Sequence, residues 1–343
     1  MRHTTLLAVT VAVLALAPRV ARAGPETAMR ELASGQIKKG VRSIGMGGDG
    51  ATTGNYALVY QDHGTAIVDY GVARYSDTGN LFEFTAVGVT SPSFWDGAAL
   101  YVIALSQHAT DLRVWDFTPG RLTPPSLGDG SNSAVFVKLA KPITDTLGVG
   151  LLVSYERSQM TLLPWSGLPP IRYQTGYLPS GGLGVHWHPD EHWQLGARAL
   201  LNFDDETRDD VNGLHSGVAS KQEYRLGVGW SPWRGTLLDL GGDVLVISDG
   251  LSAALGATNT TQAKAYPTVG IEQALVPRRV WVRAGLDETT WTAGMSLRAR
   301  PFRIDLAYLN GIALARTGDQ FGQRNASLLT TLTLDYESLV TSR

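Results

Sequence analysis

The stretch from Gly181 to Phe203 alternates apolar residues with small or polar ones over two successive segments. Its apolar face holds Leu183, Val185, Trp187, Trp193, Leu195, Ala197, Ala199, Leu201 and Phe203. Alternation at period two predicts β-strands, and the short polar link Pro189-Asp190-Glu191 predicts an antiparallel hairpin. Tryptophan stands at the turn and phenylalanine at the far end. This arrangement is typical of strands that cross a bilayer, because amphipathic rings settle at the two interfaces.

The same alternation recurs along the chain in segments of about 10 residues, the length of a transmembrane strand. The predicted strands are 66–75, 81–90, 98–107, 133–141, 146–157, 180–188, 192–203, 222–231, 236–247, 263–275, 279–287, 290–299, 302–311 and 327–336. Asp69 and Glu83 blur the pattern of the first two strands. Fourteen strands are therefore expected, with twelve as the alternative.

The predicted connections differ in length between the two ends of the strands. The short ones are Thr144-Asp145, Pro189-Asp190-Glu191, Pro232–Gly235, Val276–Arg278 and Arg300-Pro301. The long ones are His108–Asn132, Ser158–Pro179, Asp204–Lys221, Ser248–Gln262 and Ile312–Ala326. Short turns on one side and long loops on the other are typical of an outer-membrane β-barrel, whereas a soluble sandwich has no reason to separate them.

Composition agrees with an exported barrel. Met1–Ala23 has the basic start, apolar centre and Ala21-Arg22-Ala23 cleavage site of a signal peptide, and its apolar run is shorter than the roughly 20 residues of a spanning helix. The chain has 39 glycines and no cysteine, which excludes disulfides and thiolate metal sites. Removing three arginines with the signal takes the net charge from -2 to -5. A nucleic-acid partner is therefore not expected.

Gly24–Thr65 precedes the first clear strand and contains the run Arg42-Ser43-Ile44-Gly45-Met46-Gly47-Gly48-Asp49-Gly50-Ala51. GMGGDG formally matches a dinucleotide-binding fingerprint, but no apolar strand precedes it and no amphipathic helix follows. The run resembles the N-terminal hatch of the long-chain fatty acid transporter (FadL-type) outer-membrane proteins and their relatives. The matching residues are Arg42, Met46, Gly47, Gly48 and Ala51. The resemblance implies that residues 24–65 form a plug inside a barrel of residues 66–343. An ordinary Gly-rich linker is the alternative.

The inward-facing positions of the predicted strands carry charges of both signs. They are Glu156, Arg198, Arg225, Asp239, Asp243, Lys264, Glu272, Arg283, Asp287, Arg298, Arg303 and Asp305. A balanced lining predicts ion pairs that brace the wall and hold a plug, whereas a lining of one sign would favour an ion-selective pore. Arg42 is expected to pair with an inward carboxylate such as Asp239 or Asp243. We therefore expect an occluded lumen.

Two predicted loops are rich in apolar residues, namely Trp115 and Phe117 in one and Leu162, Leu163 and Trp165 in the next. Exposed apolar clusters tend to mark binding surfaces. The family resemblance implies that such loops collect a hydrophobic ligand, and mutual packing over the barrel mouth is the alternative.

The histidines are the residues best suited to metal binding or catalysis. His186, His188 and His192, with Asp190 and Glu191, could bring a metal to the periplasmic rim, but polar residues are ordinary at such a turn, so no metal or cofactor is predicted. His63, His108 and His215 lie near no nucleophile signature, so an enzyme is not expected.

The sequence thus predicts an all-β transmembrane antiparallel barrel in the outer membrane of a diderm bacterium, in contact with lipid. The family resemblance implies passive transport of a hydrophobic small molecule as the function. A non-transporting scaffold for periplasmic or secretion partners is the alternative.

Overall fold

The structure is a computed structural model, and it describes residues 42, 46, 52–61, 64–75, 81–114, 126–164, 167–176, 179–248, 261–287, 290–310 and 325–336. The predicted signal peptide, Met1–Ala23, lies outside these residues. Within them, no helix has the length and apolar character that crossing a membrane would require.

In the described parts of the chain, fifteen β-strands form one antiparallel sheet. They are β1 (Thr65–Tyr75), β2 (Leu81–Trp95), β3 (Ala98–Val114), β4 (Ser126–Pro142), β5 (Leu147–Leu163), β6 (Ile171–Thr175), β7 (Pro179–Trp187), β8 (Trp193–Asp210), β9 (Gly213–Trp230), β10 (Thr236–Ser248), β11 (Thr261–Val276), β12 (Val280–Asp287), β13 (Thr290–Ala299), β14 (Phe302–Asn310) and β15 (Asn325–Asp335). A short 3-10 helix, Tyr56–Gln61, precedes β1.

The sheet closes on itself. Strand β1 pairs with β2 on one side and with β15 on the other, from Thr65↔Asp335 to Tyr75↔Asn325. Strands β6 and β7 both lie between β5 and β8, so they share one position in the wall. The barrel therefore has 14 strand positions, which confirms fourteen over twelve. Closure gives every strand position a hydrogen-bonded neighbour on both sides, as a span through hydrocarbon requires.

The alternation in the sequence sets the two faces of the wall. In β5, Val149, Leu151, Val153 and Tyr155 are exposed on the outside, while the residues between them are buried. The hairpin of β7 and β8 follows the prediction, with Leu183, Trp187, Trp193 and Phe203 exposed on the same outer face. Near the turn end of this hairpin, Trp193 stacks on Trp230 of β9 with ring centroids 6.0 Å apart. Such an aromatic pair at the edge of the apolar band suits a membrane interface.

Short turns connect the strands at the end of the barrel where β1 begins. The turn between β2 and β3 consists of Asp96 and Gly97, and φ is positive at both residues (47° and 73°). Such two-residue turns match the twist of a hairpin, and Asp-Gly is a favoured sequence for them. At this end the prediction of short connections agrees with the structure.

At the opposite end the strands are longer than predicted. Residues 204–221 were expected to form a loop, but β8 continues to Asp210 and β9 starts at Gly213, so Val211 and Asn212 alone join them. Similarly, β3, β4 and β5 extend into the predicted loops 108–132 and 158–179. Ladder hydrogen bonds are made by the backbone, so strands continue beyond the apolar band that the alternation detects.

The sixth strand position is interrupted between β6 and β7. Strand β5 pairs with β7 from Leu147 to Tyr155 and with β6 from Gln159 to Leu162, so the ladder skips three residues of β5. At this break the Ser158 amide donates to Thr175 Oγ1 (2.8 Å), and the Gly176 amide donates to the Asp205 carbonyl (2.6 Å). Side-chain and irregular backbone bonds thus replace part of the ladder.

Candidate functional site: the barrel lumen

Charged side chains form a network on the inner face of β8, β9 and β10. Arg198 Nη2 and Arg225 Nε both donate to Glu223 Oε1, at 2.8 and 2.7 Å. Arg225, which is almost fully buried, also pairs with Asp243 on β10. Glu223 was not among the predicted lumen residues, although the alternation that places Tyr224 outward places Glu223 inward. Buried charges require such partners because desolvation is costly.

A second charged network continues around the wall on β11, β12 and β14. Arg283 Nε donates to Glu272 Oε2 (2.6 Å), and Arg283 Nη1 lies 3.5 Å from Asp305 Oδ1. Arg303 Nη2 donates to Asp305 Oδ1 at 2.9 Å. Buried residues among the twelve predicted inward-facing ones include Arg198, Arg225, Asp239, Asp243 and Arg283. The side chains of Lys264 and Asp287 lie outside the described part of the chain.

The N-terminal segment contacts the second network through Arg42. Its Nε and Nη2 donate to the two carboxylate oxygens of Glu272, at 2.9 and 2.7 Å. Arg42 therefore pairs with an inward carboxylate, as expected, but with Glu272 and not with the two that were named as examples, Asp239 and Asp243. Asp239 accepts a hydrogen bond from Thr52 Oγ1 (2.5 Å), and Asp243 is paired with Arg225. The charges of the wall can be read from the sequence, but the depth at which Arg42 crosses the lumen depends on the path of the chain.

Asn55 and Tyr56 hold the N-terminal segment against β4, β7 and β8. Asn55 Nδ2 donates to the backbone carbonyls of Val185 (2.9 Å) and Ala197 (3.1 Å). The Tyr56 ring, which is 0% exposed, has the Arg198 guanidinium 5.3 Å and the Lys138 ammonium 5.9 Å from its centroid. A desolvated cation over a tyrosine face is an attractive contact. Neither Asn55 nor Tyr56 was predicted, because no local pattern distinguishes them.

Glycines on the inner wall leave the space that this segment fills. A Cβ added at Gly150 would overlap the backbone of Tyr56 and Ala57, and one at Gly184 would overlap the Asn55 side chain. On the far side of the lumen, a Cβ at Gly270 would overlap Met46. Glycine is therefore required at these positions by close backbone approach. Of the predicted hatch residues, Gly47, Gly48 and Ala51 lie outside the described residues, whereas Arg42 and Met46 contact the wall.

The opposite side of the lumen holds an apolar cluster, set among buried polar side chains such as Gln107, Asn132 and Glu156. Its buried cluster comprises Tyr56, Phe84, Ala86, Ile103, Leu105, Ala109, Ala134, Phe136, Leu152, Met160, Leu162, Leu200, Ala307, Leu309 and Leu329. Most of these residues lie on β2 to β5, across from the charged networks. The interior of a water-filled barrel is polar, so a buried apolar surface here is unusual. The sequence signal is the loss of alternation in segments such as AALYVIAL at 98–105, which are apolar on both faces.

The predicted ligand-collecting residues divide into two groups. Leu162 and Leu163 were placed in a loop, but they belong to β5, where Leu162 is buried in the apolar cluster and Leu163 is exposed. The loop prediction was wrong for these two residues because β5 continues its pairing with β4 and β6 beyond the membrane-length segment. Trp115, Phe117 and Trp165 lie outside the described residues.

Comparison with known proteins gives matches in structure alone. No family model matches the sequence, and no curated protein does so either. A FadL homologue from Pseudomonas aeruginosa superposes with a TM-score of 0.57 at 13% identity, over 87% of this chain and 98% of its own. The toluene transporter TbuX of Ralstonia pickettii gives 0.56 at 13% identity, over 86% and 97%. The toluene transporter TodX of Pseudomonas putida gives 0.53 at 10% identity, over 86% and 98%.

Two of these structures are named toluene transporters and the third a FadL homologue. Nearly the whole length of each superposes on this chain. Their identity is low, so the likeness shows the fold. A closed barrel of 14 positions, with an N-terminal segment in contact with its inner wall, agrees with the resemblance found in the run from Arg42 to Ala51. The chain therefore has the fold of the FadL-type β-barrels.

Proposed function

We propose that this chain is an outer-membrane channel through which a hydrophobic small molecule passes passively, with residues 24–65 as its hatch. The observation that carries the proposal is the two-sided lumen. One wall offers buried apolar side chains such as Ile103, Phe136 and Met160, and the other holds the N-terminal segment by Arg42–Glu272. These apolar side chains are buried together with Tyr56, and movement of the N-terminal segment would expose them as a favourable path for a molecule that is poorly soluble in water.

The known structures support the same chemistry. TbuX and TodX carry the name toluene transporter, and another similar structure, which has a TM-score of 0.54, is called a monoaromatic hydrocarbon channel. An aromatic hydrocarbon is therefore the first substrate to test, and a long-chain fatty acid is the second.

Uptake separates transport from the scaffold alternative. Radiolabelled toluene and oleate are supplied to diderm cells that carry the intact gene, a deletion, or the deletion with the gene restored. We expect the deletion to slow entry of at least one compound and the restored gene to recover it. Unchanged entry of both compounds together with loss of surface-protein export would favour the scaffold instead.

A further inference from the structure

A cavity of about 390 Å³ lies beside the turn between β7 and β8, at the end of the barrel with short connections. Its lining includes Arg42, His186, His188, His192, Gln194 and Glu272. The proposed transport function uses none of the three histidines. A ligand site at these residues is therefore independent of that function.

His186 presents an unpaired nitrogen. The residue is 2% exposed, and its Nε2 lies 3.3 Å from Oε1 of Gln194. An amide oxygen can only accept, so Nε2 carries the hydrogen and Nδ1 carries the lone pair. Nδ1 is buried and has no hydrogen-bond partner among the described residues. Leaving a buried acceptor unsatisfied destabilises the fold, and a cation at that position would offset this cost.

His188 offers a second imidazole nitrogen close by. It follows His186 by two residues on the same face, and the two ring centroids are 5.9 Å apart. Its Nδ1 is also buried without a hydrogen-bond partner in the described part of the chain. Two imidazoles bound to one ion at about 2.0–2.1 Å place their ring centroids roughly 5 to 6 Å apart, so the observed separation suits chelation.

The surroundings favour a cation and leave room for water. The cavity lining includes the carboxylates of Asp190 and Glu191, besides Glu272, which is already paired with Arg42 and Arg283. In the part of the chain that the structure describes, no group of three or more His, Asp or Glu side chains is arranged around one metal position. A metal here would therefore have two protein ligands and complete its coordination with water from the cavity.

We propose that His186 and His188 bind one divalent transition metal ion through their Nδ1 atoms. Imidazole suits Zn²⁺, Ni²⁺ and Cu²⁺, and of these Cu²⁺ binds nitrogen ligands most tightly. Gln194 is a positioning residue, because its bond to Nε2 fixes the tautomer that exposes Nδ1 as a ligand.

Calorimetry on the tag-free, detergent-solubilised chain tests the site with Zn²⁺ and Cu²⁺, since a polyhistidine tag would itself bind these ions. We expect one ion per chain, and about tenfold or greater weakening in His186→Ala and in His188→Ala. Gln194→Leu should weaken binding by roughly tenfold, because His186 then loses the bond that orients its ring. The matched control is His215→Ala, at the other end of the barrel, and it should leave the affinity unchanged.

Electron paramagnetic resonance of the Cu²⁺ form provides a readout that folding defects do not imitate. Hyperfine splitting from two imidazole nitrogens is expected, and it should be lost in the double variant His186→Ala with His188→Ala. Each variant is first shown to be folded by its heat-modifiable migration on a gel. The absence of saturable binding in the unmodified chain would overturn the proposal, as would equal affinity in the folded double variant.

Discussion

At the residue scale, the inner wall has glycine where a side chain would overlap the N-terminal segment. Gly184 lies on the inner face of β7, whereas Gly181, three residues earlier on the same strand, lies on its outer face. An added Cβ at Gly184 would overlap Asn55, whereas one at Gly181 would meet nothing within 4 Å. The contrast provides a matched pair of substitutions for testing the hatch.

Gly184→Val is expected to displace the N-terminal segment while the barrel, held by its closed ladder, still inserts. Single-channel conductance in a planar bilayer should rise, and cells should become more sensitive to large antibiotics. Gly181→Val should behave like the unmodified chain in both assays. If both variants insert and neither changes conductance, the segment does not plug the lumen.

Glu272 accepts from two arginines that differ in exposure. The Arg42 side chain is 41% exposed, whereas that of Arg283 is 1% exposed. Removing the carboxylate would leave Arg283 with a buried charge whose remaining carboxylate contact, to Asp305, is long. Removing Arg42 would leave the Glu272–Arg283 pair intact.

Glu272→Gln is therefore expected to lower the free energy of unfolding by about 3 kcal/mol, because breaking one partner of a buried pair leaves an uncompensated charge. Arg42→Ala should lower it by less than about 1 kcal/mol, in line with a partly exposed pair. Urea unfolding in lipid vesicles, followed by tryptophan fluorescence, measures both. Equal losses of stability in the two variants would contradict the inference that the buried charge of Arg283 relies on Glu272.

At the scale of elements, the break between β6 and β7 is the irregular part of the wall. The ladder is interrupted there, and Thr175 Oγ1 accepts from the buried Ser158 amide in place of a backbone carbonyl. Thr207, on the neighbouring β8, also has a hydroxyl bond to backbone, donating to the Gln174 carbonyl at 3.3 Å, but that bond is exposed. Substituting the two threonines therefore compares the loss of a buried hydrogen bond with the loss of an exposed one.

Thr175→Val should lower the free energy of unfolding by about 1–3 kcal/mol, because the Ser158 amide loses its acceptor where water does not reach it. Hydrogen exchange at that amide should become faster. Thr207→Val is the control and should change stability by no more than about 0.5 kcal/mol, as exposed substitutions usually do. An unchanged exchange rate of the Ser158 amide in Thr175→Val would show that the Thr175 hydroxyl does not protect this amide.

At the scale of the whole molecule, the two ends of the barrel differ. One end has short turns that include Glu191, and the other extends into the β8–β9 hairpin with Asn212 at its tip. In outer-membrane barrels the short turns face the periplasm. The chain contains no cysteine, so a single introduced thiol reports on one position.

Asn212→Cys is expected to react with a membrane-impermeant maleimide on intact cells. Glu191→Cys should react only after the outer membrane is permeabilised, because its turn faces the periplasm. Mass spectrometry of the fractionated outer membrane gives both the label and the location. Labelling of Glu191→Cys in intact cells, or recovery of the chain as a soluble periplasmic protein, would contradict this orientation.

The local sequence determined most of the strand positions in the barrel wall and the direction in which their side chains face. Alternation at period two depends on neighbouring residues alone, so it determined which side chains of β5, β7 and β9 face outward and located the fourteen strands to within a few residues in most cases. The same alternation placed Arg198, Arg225 and Asp243 on the inner face. The strand extensions beyond the membrane were not predicted, because Leu162 and Thr207 continue a backbone ladder that has no apolar outer face to mark it.

The contents of the lumen were decided by tertiary structure. Whether Arg42 meets Glu272 or Asp239 depends on how far the N-terminal segment crosses the barrel, and both carboxylates are distant from it in the sequence. The fit of Asn55 to Gly184, of Met46 to Gly270 and of Tyr56 between Arg198 and Lys138 arises only when the sheet closes. Local patterns specify the faces of a strand, whereas contacts across a closed barrel depend on the register of all its strands together.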